Sequence, residues 1–466
     1  MSPEDNWLPP FTAGQSRLIL LLISFAGLIG PLASNIYFPA LIDIKTSLDT
    51  SETLVNATIS VFIFFYGVFP VFWASFSDIY GRRTIYILST GIFTVASILC
   101  AVSVNIWMLM VCRALQAAGA SAIISVGAGT IGDVFPIESR GTAMGIFFMG
   151  PSLGPLIGPV AGGYLNEYLG WRWIFWILTM LGAVITLTML LWLPETLKRL
   201  RMQRVIQERI KQEESAIGLN DTPAQDYSGW MEAYTVPGLS ARKIVQILVM
   251  PLTYLTHPGA LLSIMHLGAV FASLYAVTST MPRTFTALYG LSSSQIGLTY
   301  LSYSLGTLTG SFTSGRFIDM VLRIKKQDVE SVPAEYRLFG AYIGGVITPL
   351  ALLMYGLFTY YKLSLWIVLI ATFLTGFGTL WVMTSCSVFL VDLFPGKSAS
   401  AVSVNNLVRN VFTAISTAVA IPLLDALGAI GFFSLMAGLC VVTGVGVAVV
   451  FFMDAKWHSK WLEKHS

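Results

Sequence analysis

Charge is what this sequence has least of. Asp, Glu, Lys and Arg together make up 11% of its 466 residues, about half the share in an ordinary soluble chain. A soluble fold of this length needs a charged skin, and here charge falls only in short clusters between long apolar runs. The chain is 55% hydrophobic, and its runs reach the roughly 20 residues that carry a helix across the hydrocarbon layer. In that layer every backbone group must be bonded within the protein, so only helices or closed barrels can span it. The runs are continuous rather than alternating, which selects helices.

Cysteine is scarce as well. The four, Cys100, Cys112, Cys386 and Cys440, all fall within apolar runs and read as small buried hydrophobes, not as disulfide partners or metal ligands. No nucleophile–base set, phosphate loop or metal-ligand cluster stands out, which argues against an enzyme. No cofactor, metal or nucleic-acid partner is expected, and the chain is expected to act as a monomer. The start, Met1-Ser-Pro-Glu-Asp-Asn, lacks the basic region and small-residue cleavage site of a signal peptide, so the first span is expected to stay in the mature chain.

What is present is an all-α polytopic membrane protein of about twelve spans. They are expected near 18–40, 55–76, 85–104, 106–131, 140–162, 173–193, 259–281, 293–314, 338–360, 364–386, 400–422 and 428–453. This gives a tail (1–17), a six-helix bundle (18–193), a central loop (194–258), a second six-helix bundle (259–453) and a second tail (454–466). Basic residues crowd alternate loops: Arg82 and Arg83, Arg140, the run from Lys198 to Lys243, Arg316 to Arg337, and Lys397. The opposite loops hold only Lys45, Arg172, Arg283 and Lys362. Positive charge marks the cytoplasmic side, so both termini and the central loop are expected there. The stretch Lys198–Ser215 reads as an amphipathic helix on the inner membrane surface or as a mobile charged linker. A weak repeat links the halves: Asp133-Val-Phe-Pro returns as Asp392-Leu-Phe-Pro, and Gly81-Arg82 as Gly315-Arg316, which implies two bundles related by an axis along the membrane normal.

The strongest local signal is in the fifth span. Gly150, Gly154, Gly158 and Gly162 recur every four residues, and Gly163 follows. They form a smooth strip that lets a neighbouring backbone approach closely. Pro151, Pro155 and Pro159 each remove a helical hydrogen bond. The strip reads as tight packing alone or, more sharply, as a bendable helix at the interface between the halves. Between the second and third spans, Ser77-Asp78-Ile-Tyr-Gly81-Arg82-Arg83 places a carboxylate beside two guanidiniums. It reads as an inner gate latch, joined by Asp133 and Arg140 of the next inner loop; positive-inside anchoring explains the arginines but not Asp78.

Two arginines lie at membrane depth, where charge is costly and faces a protein interior or an aqueous cavity. Arg113, with Gln116 one turn on, lines the pathway or is held by backbone carbonyls. Arg409 lies within Asn405-Asn406-Leu-Val-Arg409-Asn410, a polar stripe that braces helices or binds substrate. His266 is the one deep histidine and suits either proton exchange or a structural role. With Asn35, Tyr37 and a threonine stripe at Thr372, Thr375 and Thr379, these define a neutral or electropositive cavity without a mid-membrane carboxylate, which favours an anion. Phe64, Phe65, Tyr66, Tyr300 and Tyr303 supply the aromatics that a drug site would use. Arg283 reads as a second anion contact or an interfacial anchor.

These motifs resemble the major facilitator superfamily across nearly the whole chain, and most of all its fungal twelve-span drug:proton antiporters of the quinidine-resistance type. Asp78, Gly81, Arg82 and Arg83 match the family's loop signature, with Ala74 where glycine is usual. Arg113 and Gln116 match its fourth-span signature, and Gly150-Pro151 to Gly162-Gly163 match its antiporter signature. Gly30-Pro-Leu-Ala-Ser-Asn35-Ile-Tyr37, Trp171-Arg172-Trp173 and Leu193-Pro194-Glu195-Thr196 are further marks. The resemblance implies the major facilitator fold, a role for Arg113 in proton transfer, and proton-coupled export of a drug or of an organic acid such as citrate or itaconate across the plasma membrane. A secondary-metabolite exporter or a transporter-like nutrient sensor is the alternative.

Overall fold

The computed structural model describes residues 11–216, 250–326, 334–394 and 398–465, and among these there are helices and no strands. The first span is broken into α1 (Ala13–Gly27), α2 (Ile29–Asn35) and α3 (Leu41–Ser47). Thr12 starts it with a reciprocal capping box to Gln15, which satisfies the free N–H groups of the first turn. Pro39 falls in the short 3-10 turn Phe38–Ala40, where its missing N–H interrupts the ladder. Then follow α4 (Glu52–Tyr80), α5 (Arg82–Ala101), α6 (Ile106–Val134), α7 (Ile137–Leu169), α8 (Arg172–Trp192) and α9 (Lys198–Ala216). Ser51 and Asn105 cap α4 and α6 by accepting from Leu54 and Met108 N–H.

The second half holds α10 (Pro258–Tyr289), α11 (Ser293–Lys326), α12 (Phe339–Tyr360), α13 (Leu365–Leu393) and α14 (Ser398–His465). Ten helices among the described residues are long and apolar enough to cross a membrane. The expected twelve needs two further steps. At 68 residues α14 would be about 100 Å long if straight, three times the hydrocarbon layer; Gly428, at φ 68° and ψ 175°, divides it into two antiparallel arms. The 34-residue α11 is long enough, but serine, threonine and glycine dilute its apolar character. Helix α14 also runs through most of the expected C-terminal tail. Of the expected central loop, residues 217–249 lie outside the described residues.

The surface is that of a bilayer protein. Leu88, Val104, Leu191, Tyr361, Trp366 and Val442 are among many large apolar side chains left exposed, far beyond the isolated patches a soluble monomer tolerates. Each half packs within itself, α4 and α5 on α6, α5 on α8, α11 and α12 on α13, and α10 on α14. The halves meet along two seams, α4 against α14 and α7 against α11. Chain direction places the start of α1 and the end of α14 at one end of the bundle, the near end, with the α3–α4 and α10–α11 turns at the far end.

The amphipathic helix expected at Lys198–Ser215 is present as α9, but it docks onto protein. Met202 and Ile206 are fully buried, Arg201 stacks on the Phe11 ring at 3.9 Å, and Arg199 donates to the Asp78 and Ile79 carbonyls, both at 2.9 Å. Leu200 of α9 lies against Gly81 in the α4–α5 turn.

Candidate functional site

At the near end the α4–α5 turn is built around Gly81. Its φ of +96° is one that only glycine adopts freely, and a Cβ there would strike the Glu195 carboxylate. Glu195 is 5% exposed and accepts from the Arg82, Arg83, Thr196 and Leu197 N–H groups. A carboxylate on the free N–H groups that open α5 also complements the helix dipole. Arg82 then reaches Asp78 at 2.7 Å and Asp133 at 3.0 Å, while Ser77 Oγ accepts from its Nη1 at 2.5 Å. Arg83 donates to Leu190 O and Arg140 to Gly132 O. The expected gate residues are therefore together, but every one of these bonds lies within the first half.

The second half repeats the arrangement with a different residue. Asp392, the counterpart of Asp133, pairs with Arg337 at 2.7 Å, and Arg337 lies two residues before the start of α12, whereas Arg82 begins α5. The expected Gly315-Arg316 match to Gly81-Arg82 is thus not the structural one. Gly315 lies inside α11, and Arg316 stacks on Phe312 at 3.9 Å.

Bonds cross between the halves at the far end and around the centre. Arg283 of α10 pairs with Glu52 of α4 at 3.1 Å and with Asp425 of α14 at 2.7 Å; Lys45 also holds Glu52, at 2.8 Å. Beside them, Asn166 of α7 donates to Asp43 and to Ser293, and Ser293 Oγ donates to Asp43 at 3.2 Å. Glu167 accepts from Ser294 N–H at 2.8 Å, so one half caps a helix of the other. Deeper in, Phe38 stacks on Tyr300 at 5.7 Å and contacts Tyr275 at 6.2 Å, and Tyr303 donates to Asn35 at 3.2 Å. Phe38 and Tyr300 are fully buried. Sequence reasoning missed this lock: Glu52 and Asp425 carry no motif, and Arg283 is neither a free anion contact nor a lone anchor.

Arg113 sits in the far half of α6 and is 0% exposed. Its Nη1 donates to Ala33 O at 3.0 Å and to Gln116 at 2.8 Å, and its guanidinium lies over the Phe62 ring at 4.1 Å and the Tyr37 ring at 4.7 Å. Gln116 passes the chain on to Ser97, and Tyr37 bonds Thr58 at 3.0 Å. These expected pathway residues do come together, as a sealed network within the first half. His266 lies elsewhere, bonded to Thr443 at 3.0 Å and faced by Gly345 and Gly444, on the side of α10 that meets α12 and the second arm of α14. The threonine stripe turns its hydroxyls onto its own helix, with Thr372, Thr375 and Thr379 donating to Leu369, Ala371 and Thr375 carbonyls.

Arg409 is different. It is half-buried rather than sealed, on the arm of α14 that packs across the interface on α4. Asn410 beside it fills the space over Gly67. The guanidinium lies over Phe271 at 4.5 Å and its Nη1 touches Met383 Sδ at 3.8 Å. Tyr66 and Tyr275 lie within its electrostatic reach. Among the described residues it has no carboxylate partner, and its Nε and the Tyr66 hydroxyl have no hydrogen-bond partner.

Helix α7 serves both neighbours. A Cβ on Gly150, Gly154 or Gly162 would collide with the backbone at Ser24, Pro31–Leu32 or Ile36, and one on Gly158 would come within 3.0 Å of Ile36 N. The expected strip therefore packs on α1 and α2 in its own half. The face at the interface is the one bearing Pro155, Pro159 and Gly163. Pro159 has no N–H to offer the Pro155 carbonyl four residues back, and that carbonyl instead accepts from Ser304 of α11 at 2.8 Å. Gly297 of α11 approaches Pro159 O, and Gly163 approaches Ser293 O.

Two helical halves in an apolar jacket, joined by a polar lock at one end and enclosing a half-accessible cation, make this an integral, multi-pass membrane transporter. The chain belongs to the Major Facilitator Superfamily, whose family model matches residues 23–363. It is 33% identical to Citrate exporter 1 of Aspergillus niger, over 99% of this chain and 91% of that protein. It is 31% identical to Multidrug transporter DTR1 of Candida glabrata, over 96% and 86%. Its fold is similar to that of a POT family transporter in complex with 5-aminolevulinic acid, with a TM-score of 0.68 and 16% identity over 96% of this chain and 98% of that one. The expected fold class and transporter function are thereby established, and proteins of this superfamily are not enzymes.

Proposed function

We propose that this transporter exports a small organic anion from the cytoplasm in exchange for protons, working as a monomer in the plasma membrane with both termini inside. The observation that carries the reading is Arg409, a half-buried guanidinium on a central helix with no carboxylate partner among the described residues. An unpaired cation in a low-dielectric interior attracts an anion and repels a permanent cation. The basic loops support cytoplasmic termini. With that orientation the far-end lock faces outside. Cross-half polar bonds are present at that end and around the centre, which suits a form that loads from the cytoplasm. The likeness to a citrate exporter supports an organic acid as cargo. The likeness to a multidrug transporter, with the aromatics Tyr66, Phe271 and Tyr275, supports a drug as the second reading.

Alternating access then has a physical description. The halves rock about the Arg409 region, the far-end bonds part, and Asp78, Arg82, Arg83 and Asp133 offer charges with which the near end closes. Expression in a transporter-poor yeast tests the proposal, comparing efflux of labelled organic acids with efflux of a cationic drug across a set pH gradient. Acid efflux that a protonophore abolishes is expected. Drug efflux without acid efflux refutes the anion reading, and indifference to the protonophore refutes proton exchange.

A further inference from the structure

The far-end lock contains a buried donor and a buried acceptor that its ion pairs do not use. Arg283 of α10 points its Nε at Glu52 and its Nη2 at Asp425, while its Nη1 is buried and has no hydrogen-bond partner among the described residues. Across the seam, Asn56 of α4 is 3% exposed, and its Oδ1 is buried and equally without a partner. A guanidinium nitrogen donates and an amide oxygen accepts. Each, buried without a bond, carries the full cost of losing its water.

Both residues line one small cavity between the halves. Glu52, Val55 and Asn56 of the first half face Ser279, Pro282 and Arg283 of the second across it. The cavity gives about 20 Å³ to the centre of a water-sized molecule, and one water needs about 10–15 Å³, so an organic molecule is too large. An ion is also disfavoured, because a cation meets the Arg283 guanidinium and an anion meets the Glu52 carboxylate after losing its own hydration. Water is small and neutral, and it can accept from Nη1 while donating to Oδ1. Ser279 Oγ, which donates to Ala276 O at 3.4 Å, keeps lone pairs for a third bond. Buried waters make two to four such bonds.

We infer that the far-end lock includes a water site, one molecule that accepts from Arg283 Nη1, donates to Asn56 Oδ1 and so bonds α10 to α4. A bridging water holds two groups nearly as well as a direct bond. The site exists only where the halves meet, so it forms and disperses with the lock, and both groups pass to bulk water when the halves part. The inference does not depend on the cargo or on its direction of travel.

The direct test is a crystal structure of the full-length protein at a resolution that shows solvent, with a second crystal soaked in bromide. One solvent peak within hydrogen-bond distance of Asn56 Oδ1 and Arg283 Nη1, without anomalous signal from bromide, is the expected result. Direct contact between the two side chains, an empty cavity or a bromide peak in it overturns the inference. A second measurement places spin labels at Ser47 and Ala287, exposed far-end positions in opposite halves, in Asn56→Val, Arg283→Met and the double variant. Asn56→Val should raise the ratio of far-end-open to sealed molecules about two- to tenfold, the worth of one hydrogen bond, and should add little once Arg283→Met is present. An equal effect of Asn56→Val in both backgrounds overturns the bridge, since Asn56 then acts through packing alone. If Asn56→Val does not fold, the solvent peak in the unaltered protein decides.

Discussion

Replacing Glu52 by glutamine should loosen the far-end lock and shift the transporter towards its outward-open form. The Glu52–Arg283 pair joins the halves, whereas Arg283–Asp425 lies within one half; rocking apart must break the first and can keep the second. The two side chains of the first pair are 28% and 37% exposed, so solvent screens them, and such a pair contributes about 0.5–1 kcal/mol. That energy corresponds to an increase of about two- to fivefold in the ratio of outward-open to sealed molecules. Spin labels at Ser47 and Ala287, exposed far-end positions in opposite halves, report the change by double electron–electron resonance. The native cysteines are buried, so cysteines introduced there label selectively. The shift should shrink at about 1 M salt, where the Debye length falls to about 3 Å. The reasoning is refuted if Glu52→Gln leaves the distance distribution unchanged, or if Asp425→Asn moves it as far.

Three further outcomes follow from the packing. Gly150→Ala and Gly162→Ala should each destabilise the protein by about 1–3 kcal/mol through overpacking on α1 and α2; Gly145→Ala, with open space around it, should be near neutral, all read by thermal unfolding in detergent. Glu195→Ala should cost about 0.5–2 kcal/mol, the range for a lost helix cap, and it frees the turn to proteolysis, which a timed protease digest detects. Ser304→Ala should leave the Pro155 carbonyl without its partner from α11 and cost about 1 kcal/mol, read by thermal unfolding, with an outward shift in the same label pair as a second sign.

Local patterns carried through from sequence to structure, and cross-chain partnerships did not. The Asp78-to-Arg83 signature placed its own residues together because they share one turn, yet Glu195, which caps that turn, follows a different span and is found only when α8 returns to the near end. The glycine strip was legible as a close-packing face because its four-residue period depends on helix geometry alone. Which neighbour it meets was not legible, and the interface with the other half uses the adjacent proline face instead. His266 and Arg113 looked alike as polar residues in apolar helices, and burial sent one to the α12–α14 side and the other under two aromatic rings. Arg409, which by sequence either braces helices or binds substrate, is half-buried and has no acidic partner among the described residues.

By itself the sequence determined the solvent this protein lives in, the helical class, the approximate spans and the pairing of two halves, because hydropathy and loop charge act over one span at a time. Only the tertiary structure decided how each deep cation is held, and where the two halves are bonded to each other. Those properties depend on distances between residues such as Glu52 and Arg283, or Tyr66 and Arg409, that are brought together by the packing of separate helices and leave no periodic trace along the chain.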